Sequence, residues 1–380
     1  MNNEDEFLDY EEQFHTQDKK ESRKERKSAI KRDRSKYKVS NQNKIESQEQ
    51  ELQKEEFLGR VLQVLPENTL LVDSDKGQIH CHFKGSMRYQ KTKMRNIIAV
   101  GDFVHVKMVD NESGLISHVR KRRSILTRTE SKQTKKNQVL AANVDQVLIT
   151  LSILQPKLKP HLIDRYIMAC KEGNITPVII FNKVDLLSNQ VEGITKQDML
   201  DATLLTKELT SIYSKLGIQT LTISATNGDN LDELKAIMKG KTSVFSGQSG
   251  VGKTSLINTL TGRDYKTAKV MAQNQKGAHT TTVAILFPID SNSYCIDTPG
   301  IKSFGMGELE PKNVRHYFEE IAELSKNCRF SGCSHTHEPD CAVKTALENG
   351  EISKLRYLSY CNLMGIEPID SNEEEIEEVL

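Results

Sequence analysis

The octapeptide Gly247-Gln248-Ser249-Gly250-Val251-Gly252-Lys253-Thr254 sets the strongest constraint on how this chain can fold. Two glycines with four residues between them, followed by Lys-Thr, match a loop whose backbone N–H groups wrap phosphates at the start of a helix. The flanks suit that setting, because Ser243-Val244-Phe245-Ser246 reads as a strand and Ser255-Leu256-Ile257-Asn258 opens a helix. A chance match in a glycine-rich turn would lack that frame. The loop therefore calls for a mostly parallel α/β sheet with its ligand at the carboxyl ends of the strands.

A second motif, Asn182-Lys183-Val184-Asp185, ends the apolar run from Pro177 to Phe181. One carboxylate, Asp185, can accept from both the N1–H and the 2-amino group of guanine. Adenine offers neither, and a polar mismatch of that kind rejects an analogue by roughly 10⁴-fold. Lys183 can cover the base with its alkyl stem, and Asn182 can tie this loop to the phosphate loop. Ser224-Ala225, after the next strand, places backbone N–H groups where they can face the guanine O6. As an isolated tetrapeptide the Asn-Lys-x-Asp motif also fits an ordinary strand-end turn; its pairing with the phosphate loop points to a guanine nucleotide. The order is inverted, however, since an ordinary GTPase carries the phosphate loop first and the base-reading motif last. The parts are those of a GTPase in rotated sequence.

Asp297-Thr298-Pro299-Gly300 follows the strand Tyr294-Cys295-Ile296 and matches the second Mg²⁺ element. Lys253 then supplies charge to the β- and γ-phosphates, Thr254 a hydroxyl to Mg²⁺, and Asp297 a water-mediated hold on the same ion. The Gly300 N–H would sense the γ-phosphate, and Ser255 completes the nucleotide set. Between these elements, Gly277-Ala278-His279-Thr280-Thr281-Thr282 suits a switch loop in which one threonine, assigned to Thr281, completes the Mg²⁺ shell. Ile301 stands where Ras-like enzymes carry a water-positioning glutamine. His279 is the candidate to orient or activate water in its place, against the plainer reading of a surface histidine.

Cys328-x4-Cys333-x-His335-x5-Cys341 offers three thiolates and one imidazole, a set suited to one tetrahedral structural Zn²⁺. His337 is a rival imidazole, and free buried cysteines are the alternative to a metal. Clustered cysteines of this kind fit a reducing cytoplasm better than a disulfide framework.

Elsewhere the chain is nearly neutral, with 53 basic and 52 acidic residues, so any nucleic-acid contact rests on local patches. Residues 1–55 are a charged, apolar-poor tail in which Lys19 to Lys38 holds eleven Lys or Arg against three acidic residues, read either as an RNA-contacting or as a solubilising arm. From Phe57 to about Arg128, five period-two runs suit a small barrel such as the OB-fold, although periodicity alone leaves an SH3-like barrel open. Arg120-Lys121-Arg122-Arg123 and Arg128 form a basic strip suited to phosphate contact. Beyond Val139 strands and helices alternate. Val314 to Leu324, Val343 to Leu347 and Ile352 to Leu363 read as helices, and residues 367–380 as an acidic tail. No apolar run approaches the roughly 18 residues of a membrane span, and the acidic N-terminus lacks a secretory pattern.

The rotated motif order, a barrel before it and the Cys/His cluster after it resemble the bacterial ribosome small subunit-dependent GTPase A family (RsgA, also YjeQ or YloQ) over about residues 57–365. The resemblance implies three domains: an OB-fold RNA-binding barrel (56–128), a circularly permuted GTPase domain (129–303) and a mostly helical zinc domain (304–366). It implies a cytoplasmic monomer that binds GTP or GDP and the small ribosomal subunit with its rRNA. Such a protein acts late in subunit maturation, with hydrolysis stimulated by the subunit. The family commonly has a basic residue where this chain has Ala278. The competing reading is a GTP-regulated RNA-binding or checkpoint protein in which nucleotide occupancy matters more than turnover. A free-standing metabolic NTPase is disfavoured, because no other catalytic constellation is present. In either leading case the second Mg²⁺ element runs straight into the zinc domain, so nucleotide state would tilt that domain.

Overall fold

The computed structural model describes residues 56–83, 97–110, 112–129, 137–188, 192–262, 284–297 and 314–368. Residues 1–55 and 369–380 of the two charged tails, the segment holding Ala278, His279 and Thr281, and Gly300 with Ile301 lie outside them.

Alternation of buried and half-buried side chains along β2 (Thr69–Ser74) and β4 (Phe103–Met108) turns one face of each strand inward. With β1 (Glu56–Val64), β3 (Gly77–Phe83) and β5 (Ser113–Val119) they form a ring in the order β1-β2-β3-β5-β4. Pairing of β4 back to β1 closes it. Val61, Leu70, Val72, Cys81, Val104 and Ile116 fill the inside and are wholly buried. The β3–β5 pair is parallel while β1–β2, β2–β3 and β4–β5 are antiparallel, which is the OB arrangement and resolves the choice between small barrels.

The basic strip leaving the barrel is only partly available. Arg122 is committed to the buried Asp102 through two 2.8 Å hydrogen bonds and donates to the Ile97 carbonyl at 3.0 Å. Lys121 and Arg123 remain exposed. A hairpin absent from the sequence reading follows, β6 (Ile125–Thr129) with β7 (Asn137–Ala142), and it spans the position where the sequence was divided between barrel and α/β domain. Leu126, Val139 and Ala141 anchor it.

The α/β part comprises β8 (Gln146–Ser152), β9 (Thr176–Asn182), β10 (Gln219–Thr222), β11 (Thr242–Ser246), β12 (Ile285–Pro288) and β13 (Tyr294–Asp297). Their order is β10-β9-β8-β11-β13-β12, all parallel except β12. Every residue of β8 is buried, as a central strand covered on both faces requires. Helices α1 (Pro160–Glu172) and α2 (Lys196–Lys215) bury Ile163, Ile167, Leu209 and Tyr213 against one face. Helices α3 (Leu231–Met238) and α4 (Lys253–Thr261) bury Leu234, Ile237, Leu256 and Ile257 against the other. A capping box of Thr195 and Asp198 starts α2. One further pair, Gln63 on β1 with Ile285 on β12, joins barrel and α/β part into one sheet. Arg60 reinforces that joint: it donates to the Thr242 hydroxyl at 2.7 Å and lies 4.6 Å from the Tyr294 ring.

The helix expected over Val314 to Leu324 is broken. A 3₁₀ turn (Arg315–Tyr317) precedes α5 (Glu319–Ser325), and Phe318 between them takes φ −104°, ψ 78°. Tertiary packing overrides the local pattern there, because Phe318 is wholly buried, meets Tyr360 edge-on at 5.5 Å and lies under the Arg356 guanidinium at 4.2 Å. Helices α6 (Ala342–Glu348) and α7 (Lys354–Met364) complete this region. Arg356 on α7 reaches Asp164 on α1 and Glu320 on α5, while the Tyr213 hydroxyl donates to Asp164 at 2.8 Å. Burial works against the arginine charge, but Asp164 and Glu320 overcome it and hold the proton more firmly than usual. No helix among the described residues is long and apolar enough to cross a membrane.

Candidate nucleotide site and metal centre

Strand order carries the separated motifs to one edge of the sheet. Chain direction across the sheet reverses between β8 and β11, and the loops after β9, β10, β11 and β13 all leave at the carboxyl ends. Asn182 ends β9, Ser224-Ala225 follows β10, Gly247 follows β11 and Asp297 ends β13.

Asn182 is the hub. Fully buried, it donates from Nδ2 to the Val251 carbonyl at 2.8 Å and accepts the Ala225 N–H on Oδ1 at 3.2 Å, so one amide ties three loops together. The Ala225 N–H is thus directed at Asn182. Gly252 sits at φ 98°, and a Cβ there would run into Asn182 Nδ2; Gly247 sits at φ 144°, and a Cβ there would strike the Thr150 carbonyl. Both glycines are demanded by close approach as well as by conformation.

Asp185 lies in a short 3₁₀ turn after β9 and accepts the Ser224 hydroxyl on Oδ1 at 2.6 Å; the same hydroxyl accepts the Asn227 N–H at 3.0 Å. Ser224 thereby aims the carboxylate, a role its place in a common dipeptide gave no hint of. A carboxylate has about four acceptor positions, so Ser224 leaves enough for the two donors of guanine. Lys183, at φ 68°, stretches to the Gln155 carbonyl at 2.7 Å. Burial draws its ammonium below the ordinary value, opposed by Asp185. Lys253 donates to the carbonyls of Gly247 and Gln248 at 2.7 and 2.5 Å, held across the mouth of the loop. Ser249, Gly250, Thr254 and Ser255 are exposed. Because β11 and β13 are neighbours, Thr254 at the start of α4 and Asp297 arrive at the same end of adjacent strands, a placement that fits one divalent cation.

The second candidate centre lies between α5 and α6. One ligand atom from each of Cys328, Cys333, His335 and Cys341 falls within 4.8 Å of the others. His335 Nδ1 is 3.4 Å from Cys341 Sγ and 3.6 Å from Cys328 Sγ, and the two sulfurs are 3.8 Å apart. With Zn–S near 2.3 Å and Zn–N near 2.0 Å, tetrahedral edges come to about 3.8 Å for S–S and about 3.6 Å for N–S. The edges among Cys328, His335 and Cys341 are already at zinc-binding size, with Cys333 within 4.8 Å of them. His337, the rival, is exposed and engages the Thr336 hydroxyl at 3.1 Å.

Burial, then Arg315, lowers the His335 basicity and favours the neutral imidazole that a metal requires. Burial first, and then Cys341 and Cys328, push the Cys333 thiol up to about 12. Packed this closely, thiolates need a cation. The loop itself is held by Glu338, which accepts the Ser334 N–H and hydroxyl at 2.7 Å each and the Thr336 N–H at 3.2 Å. Burial opposes the Glu338 charge, but these hydrogen bonds prevail and hold its carboxyl near 2.

A family model described as RsgA GTPase matches residues 119–307. The small ribosomal subunit biogenesis GTPase RsgA of Bacteroides fragilis is 36% identical over 295 residues, covering 77% of this chain and 92% of that protein. Its counterpart from Phocaeicola vulgatus is 37% identical over 296 residues with the same coverage. Among solved structures, YjeQ from Thermotoga maritima superposes with TM-score 0.63 at 32% identity, covering 82% of this chain and 98% of that one. The circularly permuted GTPase YloQ gives 0.60 at 26% identity, covering 82% and 95%. With the permuted motifs gathered at one sheet edge behind an OB barrel, this similarity over most of its length shows that the chain belongs to the RsgA GTPase family.

Proposed function

We propose that this GTP hydrolase acts late in biogenesis of the small ribosomal subunit, in the cytoplasm, with turnover stimulated by the subunit. One observation carries the reading: Asn182, Asp185, Ser224 and the Gly247–Thr254 loop converge on a single edge, in a chain whose relatives are named for small-subunit biogenesis.

In this reading Asp185 accepts from guanine N1–H and the 2-amino group while Ser224 fixes its orientation. Asn182 holds base loop and phosphate loop in register, and Lys253 turns its charge to the phosphates. Thr254 and, through water, Asp297 would hold Mg²⁺, which when bound would supply positive charge to the β- and γ-phosphates. Cys328, Cys333, His335 and Cys341 would hold a structural Zn²⁺; with all four positions filled by the chain, the ion's role would be to join α5 and α6 and not to activate water. The barrel meets rRNA through the exposed Lys121 and Arg123, since Arg122 is bound to Asp102. His279 orients the attacking water; GTP turnover of His279→Ala, with nucleotide affinity checked, tests that role.

The deciding experiment measures GTP hydrolysis by the full chain with and without purified small subunits. Stimulation of about tenfold or more is expected, as for positioning of one transition-state group. An unchanged rate refutes the reading. Subunit binding that depends on a GTP analogue without any gain in turnover favours the occupancy-sensing alternative.

A further inference from the structure

A cleft of about 470 Å³ lies between the phosphate loop and the start of α1. Lys159, His161, Arg165 and Tyr166 line it from α1 and its lead-in, and Gln248 and Ser249 line it from the tip of the loop. Its charged lining is basic, and no acidic side chain among the described residues contributes. The one carboxylate nearby in sequence, Asp164, is turned to Arg356 and Tyr213. The positive end of the thirteen-residue α1 adds to this field.

Arg165 is the informative member. Its Nε is buried and has no hydrogen-bond partner among the described residues. Arg165 as a whole is half-buried, and a buried donor without an acceptor is costly, so the side chain gains by turning its guanidinium to an oxygen ligand in the cleft. The backbone N–H groups of a phosphate loop face the phosphates directly. A cation that shares a cleft with Ser249 is therefore on the phosphate side of the site, whereas the base belongs at Asp185 after β9. Such a group has a role in the chemistry, because negative charge must be met as the phosphoryl group transfers.

We propose that Arg165 is a catalytic residue supplied in cis, its guanidinium contacting the terminal phosphate of GTP on the Gly247–Thr254 loop; the proposal rests on the nucleotide assignment above. A water oxygen forms the new bond to the γ-phosphorus. The bond to the β–γ bridging oxygen breaks, its electron pair stays on GDP, and the water proton passes to the released phosphate. Arg165 meets the charge on the phosphate oxygens throughout, while Lys159 strengthens the positive field.

The test compares Arg165→Ala and Arg165→Lys with wild type in the full chain, without subunits. Basal single-turnover hydrolysis is measured together with affinities for GDP, a non-hydrolysable GTP analogue and GDP with aluminium fluoride. Arg165→Ala should lower hydrolysis by about 100-fold or more. GDP affinity should stay within about threefold of wild type, which also reports intact folding, while the analogue loses affinity and the fluoride complex is no longer captured. Arg165→Lys should recover part of the loss, and it carries the test if the alanine variant does not fold. Basal hydrolysis and an analogue-to-GDP ratio within about threefold of wild type overturn the proposal. So does a variant that keeps basal turnover and loses only subunit stimulation, which assigns the cleft to an RNA phosphate. Failure of subunits to stimulate the wild type sinks the partner reading alone, because this comparison uses the isolated chain.

Discussion

Arg356→Met isolates the contact that fastens the helices around the Cys/His cluster to the α/β part. The side chains of Arg356 and Asp164 are 6% and 2% exposed, so both charges are out of water. In the variant Asp164 keeps only the Tyr213 hydroxyl at 2.8 Å, whereas Glu320, 22% exposed, can turn to solvent. Removing one partner of a buried ion pair costs about 3–5 kcal/mol, most of it the stranded charge. Methionine fills the space and retains a sulfur contact with Phe318, so little of the loss is cavity. At roughly 2–4 °C per kcal/mol, melting of the zinc-loaded, GDP-saturated protein should fall by roughly 6–20 °C. Adding Asp164→Asn removes the stranded charge and leaves an acceptor for Tyr213, so the double variant should regain more than half of that fall. Melting within about 2 °C of wild type for the single variant, or no recovery in the double, would refute the reasoning. Were nucleotide state to tilt the helices around the Cys/His cluster, α1 would have to move with them or this network would break.

Asp185→Asn replaces an acceptor that guanine needs with a mixed donor and acceptor; GTP affinity should fall by roughly 10⁴-fold while xanthosine triphosphate gains, read by titration with both nucleotides. Cys341→Ser should abolish stoichiometric zinc by elemental analysis and render residues 314–364 sensitive to limited proteolysis, while GDP binding persists. Glu338 is held near 2 against an ordinary 4.5, so its contribution is complete above about pH 4.5 and disappears as pH falls towards 2. Melting curves of wild type and Glu338→Gln should therefore converge over that window, and curves that stay parallel would contradict the assignment.

Much of the site was legible because its parts are contiguous. A phosphate loop is eight consecutive residues between a strand and a helix, and the period-two runs of the barrel are equally local. The β6–β7 hairpin escaped because its apolar anchors, Leu126, Val139 and Ala141, are few and its strands are joined by a polar stretch; alternation around Leu126 was the available signal. The break at Phe318 escaped for the opposite reason, since its helical pattern is real and yields to Tyr360 and Arg356.

Sequence alone determined the α/β class with a barrel before it, the identity of the ligand, and a Cys/His cluster with His335 and His337 as rival imidazoles, because backbone propensity and side-chain chemistry act over a few residues. Tertiary structure decided the closure that makes the barrel an OB-fold, the choice of His335 over His337, the aiming of Asp185 by Ser224, and the fastening of Arg356 to Asp164 across 192 positions. Those depend on which surfaces meet when apolar faces are buried together, and no spacing along the chain encodes that meeting locally.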